Sequence, residues 1–161
     1  GIGRSEAYGV STLGTVTGES VTSNTPTAAF RFTDPAALTG LTTLGGDTTR
    51  GLDINDQPSI VGTGLVVGDV PHAFRWSTSI DTLDLNLALP AGSGWVLQSA
   101  VRILPDQSIL GYGTFGGLKT PFRLRIAEIP SPCAADFNAR SGISVDDLFD
   151  FLAAFFAGCP S

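Results

Sequence analysis

Three stretches of this chain repeat one another, and a chain that repeats folds as copies of one unit packed side by side. The stretch RGLDINDQPSIVG (Arg50 to Gly62) lies over SAVRILPDQSILG (Ser99 to Gly111). Both read small, apolar, polar, apolar, then an Asp/Pro turn, then Ser-Ile-Val/Leu-Gly. A third copy, AYGVSTLGTVTG (Ala7 to Gly18), reads as shorter in its turn. An aromatic strand follows each: Phe30, Phe74 and Phe122 stand 12, 12 and 11 residues after the last Gly of their copy. The first two copies run on into ALTGLTTLGG (Ala37 to Gly46) and IDTLDLNLALP (Ile80 to Pro90), where apolar and polar residues alternate as in a half-buried strand. Each copy is therefore expected to supply about four short antiparallel strands in about 45 residues, the make-up of a propeller blade.

Composition agrees with a β body. The 161 residues include 20 Gly and 10 Pro, only 15% are charged, and 42% are apolar. That favours short strands and turns around a real core over long helices or disorder. The net charge is −6, and eight Arg and one Lys are scattered singly, so the basic face that tracks a nucleic-acid backbone is missing. No run of about 18 apolar residues predicts a membrane span. The sequence starts at Gly1 and holds no Met, from which removal of a secretory signal, and an extracellular or cell-surface location, are expected.

Two cysteines, Cys133 and Cys159, bracket only the C-terminal stretch. In an oxidising compartment they are expected to form one disulfide, worth about 3 to 4 kcal/mol on the chain-entropy account, the alternative being two separate buried thiols. The division expected is a β-repeat domain over 1–130, with repeats at about 5–46, 47–94 and 95–130, and a loop-helix over 131–161. Within the bracket, Asp136, Asn138, Arg140, Gly142, Ser144 and Asp147 have the spacing of a calcium loop. Arg140 removes an oxygen ligand and repels a cation, and Ser141 stands where a Gly would allow the sharp bend. The loop is expected to bind calcium weakly or not at all, with Arg140 pairing to Asp136 or Asp147 as the metal-free alternative. Ser144 is the expected N-cap for a helix over about Val145 to Ala157, Asp146 and Asp147 suit its first turn, and Gly158 ends it. Leu148, Phe149, Phe151, Leu152, Phe155 and Phe156 lie on nearly every side of it. Such a helix docks on the β body or buries itself against another protein.

These motifs carry two resemblances. His72-Ala73-Phe74, Ile54-Asn55 through Val61-Gly62, and Leu41-Thr42-Thr43-Leu44-Gly45-Gly46 resemble the extracellular HAF repeat family over about residues 5 to 130. The middle copy matches well; the first lacks the His and Asn, and the third has Pro121-Phe122. The resemblance implies an extracellular, β-propeller-like protein and no particular chemistry. The stretch from Cys133 to Cys159 resembles the dockerin-like segments that end secreted planctomycete proteins, which implies an anchoring tail with a degenerate calcium loop.

Catalytic arrangements do not emerge. His72 is the one histidine and sits inside a strand motif, so a structural role is expected. Asp53, Asp56, Asp81 and Asp84 lie in and near turns of the middle repeat at spacings that favour no carboxylate pair. Arg31, Arg75 and Arg123 recur after each Phe and read as architecture, including pairing between blades. Two functions are expected, neither enzymatic. One is an extracellular structural subunit that associates with itself, extending to filaments. The other is a cell-surface module binding carbohydrate or protein, with Trp76 and Trp95 exposed for stacking on sugar rings.

Overall fold

The computed structural model describes residues 3–21, 27–35 and 38–125. All of them fall in one unit, Gly1–Ile126. The architecture is mainly β, with three antiparallel sheets. The first is a meander of β1 (Arg4–Val10), β2 (Val16–Val21), β3 (Ala28–Phe32) and β4 (Thr39–Gly40). The second is β5 (Thr49–Ile54), β6 (Ile60–Val66), β7 (Val70–Ser77) and β8 (Asp81–Asp84). The third has three strands among the described residues, β9 (Trp95–Ile103), β10 (Ile109–Phe115) and β11 (Leu118–Leu124).

Strand pairing explains the repeat. The recurring Gly faces the recurring Phe across the second and third strands: Gly18 with Phe30, Gly62 with Phe74, Gly111 with Phe122. The constant gap is thus a hairpin register. On its other side each Gly pairs with Ala7, Gly51 or Ala100, and beside each pair the first strand carries a bulge. A Cβ on Gly18, Gly62 or Gly111 would run into the carbonyl oxygen of Glu6, Arg50 or Ser99, which occupy one repeat position. A Cβ on Gly62 would also lie 2.8 Å from Phe74 Cε1, because the ring covers the gap that the glycine leaves.

The turns repeat too. Backbone bonds close them identically, Ser11 N–H to Thr15 O at 2.9 Å, Asn55 to Ser59 at 3.2 Å and Leu104 to Ser108 at 2.9 Å. The turn of the first copy, expected to be shorter, is therefore equal in length. Gly14 and Gln107 take positive φ (79° and 62°) at the same place in their turns. Pro58 holds that place in the second turn and cannot adopt such a φ. There the Asn55 side chain closes the turn, its Oδ1 accepting from Gln57 N–H at 3.1 Å and Ser59 N–H at 3.0 Å.

The fourth strands differ from expectation. Of the Ala37–Gly46 alternation, Thr39–Gly40 alone is strand among the described residues, and Ile80–Pro90 turns after β8 into a 3-10 helix at Leu85–Ala88. Asp84 caps that turn by accepting from Asn86 N–H at 2.9 Å. Asn86 then uses its side chain as a strand would its backbone, accepting from Leu97 N–H at 2.7 Å and donating to Leu97 O at 2.9 Å.

The core lies between sheets. Ala29, Leu41, Ile54, Ile60 and Phe74 form one buried cluster between the first and second sheets. Val61, Ala73, Leu85, Leu97, Ala100, Ile103 and Ile109 form another between the second and third. Successive residues Ile60 and Val61, like Ala73 and Phe74, point to opposite faces of the middle sheet, as strand geometry dictates.

Candidate functional site

The three equivalent turns meet at one end of the body and line a cleft of about 380 Å³, with Ser11 and Thr12, Asn55 to Gln57, and Leu104, Pro105 and Gln107 contributed by successive repeats. Carboxylates staple the turns together. Asp56 accepts from Thr12 N–H at 2.8 Å and from its hydroxyl at 2.6 Å, which holds the Asp56 carboxyl below its ordinary range. Asp53 accepts from Ile103 N–H at 2.9 Å, tying the second repeat to the third. Arg75 reaches across the same junction, donating to Ser59 at 3.1 Å and to Gln107 Oε1 at 3.2 Å. Arg123 repeats the first of these contacts in its own sheet, with Ser108 at 3.2 Å and Asp106 at 2.9 Å. Pairing between repeats is therefore made by Arg75, while Arg123 pairs within its sheet.

Two cleft residues keep buried donors without partners among the described residues, Asn55 Nδ2 and Gln107 Nε2. They lie beside the apolar Ile54, Leu104 and Pro105. Asp53 and Asp56 are both engaged by backbone N–H groups, and the cleft is walled by the apolar Ile54, Leu104 and Pro105 with Arg102 among them, the two amide donors lying buried beneath its surface.

His72 is half-buried, and its Nδ1 lies 2.6 Å from Asp84 Oδ2. The other oxygen of Asp84 is taken by Asn86, so the pair fastens β7 to the 3-10 turn. Asp81 accepts from Trp76 Nε1 at 3.1 Å and from Thr42 at 2.7 Å. The tryptophans, expected to be exposed, are half-buried. Trp76 packs on the first core cluster; Trp95 packs on the second, with ring centroids 5.1 Å from Phe115 and 6.4 Å from Phe122. Trp95 also lines a cleft of about 250 Å³ together with Leu97, Pro121 and Phe122.

The ends of the stack of sheets are the other distinctive surfaces. At one end Val10, which also lines the cleft, is 64% exposed, whereas its counterparts Ile54 and Ile103 are 4% and 5% exposed. At the other, Val96, Val101 and Tyr112 are exposed on the third sheet, and Lys119 Nζ stands 4.4 Å over the Tyr112 ring. None of these residues is distinctive as a motif. Only comparison of each repeat column with its two equivalents, buried against exposed, picks them out.

Asp136, Asn138, Gly142, Ser144 and Asp147 of the expected calcium loop lie outside the described residues. So do Cys133 and Cys159, and Leu148, Phe149, Phe151, Leu152, Phe155 and Phe156 of the expected interaction helix. Among the described residues no three His, Cys, Asp or Glu side chains gather as a metal site, and no helix is long and apolar enough to cross a membrane. Compared with protein families, curated proteins and solved structures, the chain matches none of them.

Proposed function

We propose that this chain is a non-enzymatic, extracellular assembly subunit whose three propeller-like blades associate with further copies of itself. The observation that carries the reading is the exposure of Val10, a core position in the two later repeats. Stacked blades cover both faces with neighbours, and three of them leave two end faces bare. Apolar β faces left open are an aggregation hazard unless another chain covers them. The unlike ends of the stack favour a heterologous joint, which grows into an extended polymer unless its rotation closes a ring. The apolar C-terminal helix adds a second contact in this reading, and calcium plays at most a weak part. Light scattering and electron microscopy of the purified chain at micromolar concentration test it. Ordered assemblies are expected, and a stable 16.6 kDa monomer with empty grids refutes the proposal.

One observation favours a second reading, a binding module for carbohydrate or protein. The amide donors of Asn55 and Gln107, buried beside the cleft and unpartnered among the described residues, would reach hydroxyl or carbonyl oxygens of a ligand by turning outward. Binding of a neutral oligosaccharide or peptide that Asn55→Ala abolishes, by a chain that stays monomeric, would select this reading.

A further inference from the structure

From the repeated packing of the three sheets we infer the contact itself: the outer face of the third sheet receives β1 of a second copy, as the first and second sheets already receive β5 and β9 within one chain. The inference rests on the assembly reading above and adds which surfaces meet and in which direction.

The two contacts inside the chain are one contact made twice. In the first, β5 lies across β1, β2 and β3; in the second, β9 lies across β5, β6 and β7. The accepting sheet offers the same repeat positions each time, Thr17 and Ala29, then Val61 and Ala73, all 0% exposed. The entering sheet offers Ile54 and Ile60, then Ile103 and Ile109, all buried. A small residue lets the backbones approach: Gly51 enters where Thr17 would touch any Cβ, and Ala100 holds the equivalent place with 0% exposure. A polar link recurs as well. Glu19 of the accepting sheet pairs with Arg50, and at the same accepting position Thr63 donates to Gln98 O at 2.9 Å.

Among the described residues the surfaces for a third such contact are present and uncovered, one at each end. The accepting positions of the third sheet are Leu110, Tyr112 and Pro121, equivalent to Val61, Thr63 and Ala73. Tyr112 and Pro121 face each other across β10 and β11, so they share a face. Leu110 is half-buried there, and Tyr112 and Pro121 are exposed. The entering positions of the first sheet are Ala7 and Val10, equivalent to Gly51 and Ile54. Both are exposed, although their two counterparts in each case are buried.

The repeated packing selects a second copy as the occupant, because the accepting positions of the third sheet are those that take a sheet of this same repeat inside the chain. In the first internal contact an acidic accepting residue, Glu19, meets a basic entering one, Arg50. The entering residue equivalent to Arg50 is Glu6, which in its own sheet pairs with Arg4 at 2.8 Å and accepts from Tyr8 at 2.7 Å. The accepting residue equivalent to Glu19 is Tyr112, with Lys119 over its ring. A head-to-tail seating brings Glu6 of one copy to Lys119 of the next, where Lys119 joins Arg4 around one carboxylate.

The contact is heterologous, which gives a test by mixing. In the full chain, Val10→Arg closes the entering face and Tyr112→Asp closes the accepting face. Each variant alone is expected to raise the concentration at which half the chain assembles by about tenfold or more. Mixed in equal amounts they are expected to form a two-chain species and nothing larger, because one good entering face meets one good accepting face. Lys119→Glu is expected to weaken assembly, and adding Glu6→Lys to restore it, which keeps the proposal testable if Tyr112→Asp fails to fold. Wild-type chain that assembles while both single variants assemble equally well overturns this contact and leaves the assembly reading standing. Mixing that yields no two-chain species from two folded variants also overturns it. Wild-type chain that stays monomeric overturns the assembly reading itself.

Discussion

Tyr8 shows how much a single hydrogen bond sets. Its hydroxyl donates to Glu6 at 2.7 Å, and that bond, more than burial or the charge of Glu19, pushes the phenol up from 10.0 to about 12. The chain has two tyrosines, so absorbance titration is expected to show one ionising near pH 12, and Glu6→Gln is expected to bring it back toward 10. The folded value lies above the unfolded one, so the contribution to stability is complete below pH 10 and is lost as the pH rises through 12. Asp56 runs the other way. Its bonds from Thr12 lower its pKa, so its contribution is present above the ordinary 3.8 and is lost as the pH falls through the lowered value. Thr12→Val removes the hydroxyl, and carboxyl NMR is expected to find the Asp56 pKa nearer 3.8. If Asp136 to Asp147 is the calcium loop proposed, Arg140→Asp supplies an oxygen ligand and removes a repelling charge. Calorimetry is expected to show stronger calcium binding than in the parent chain.

Among the elements, the recurring glycine is the most demanding position. Gly62→Ala forces its Cβ into the Arg50 carbonyl and against Phe74, neither of which is a flexible side-chain tip. The cost expected from overpacking against backbone is about 3 kcal/mol, read as a lower urea midpoint. Gly40→Ala, with nothing within 4 Å of the added carbon, is expected to stay within about 0.5 kcal/mol of the parent. This contrast also shows what was legible in the sequence. The Gly and Phe columns and their spacing were visible because one register recurs three times, and three sheets follow from that. The 3-10 turn at Leu85–Ala88 was not visible, since its alternating residues read as strand. What overrides the pattern is Asn86 bonding to Leu97, a partner in the next repeat. The burial of Trp76 and Trp95 was hidden for the same reason: it depends on which sheet face each residue meets. The cleft escaped notice because it is assembled from three turns that are far apart in the chain, each ordinary alone.

For the β body as a whole, stability depends on a middle sheet that is buried on both faces by different neighbours. Ile60 serves the cluster shared with the first sheet, and Val61, the next residue, serves the cluster shared with the third. Both are 0% exposed, so truncation to alanine removes packing without exposing new polar groups. Each is expected to cost about 2 to 4 kcal/mol, with the larger loss at Ile60 because more methylene surface goes. Nearest-neighbour stacking makes the location of the damage differ even though the sites are adjacent. Hydrogen exchange on the intact chain under native conditions reads that location. In the parent, β6 and β7 are expected to hold the slowest amides, since opening them disturbs both clusters at once. Ile60→Ala is expected to speed exchange mainly in β2, β3 and β5, and Val61→Ala mainly in β9 and β10. If both substitutions speed exchange equally in all three sheets, the body opens as one cooperative unit, and the one-dimensional account of its stability is wrong.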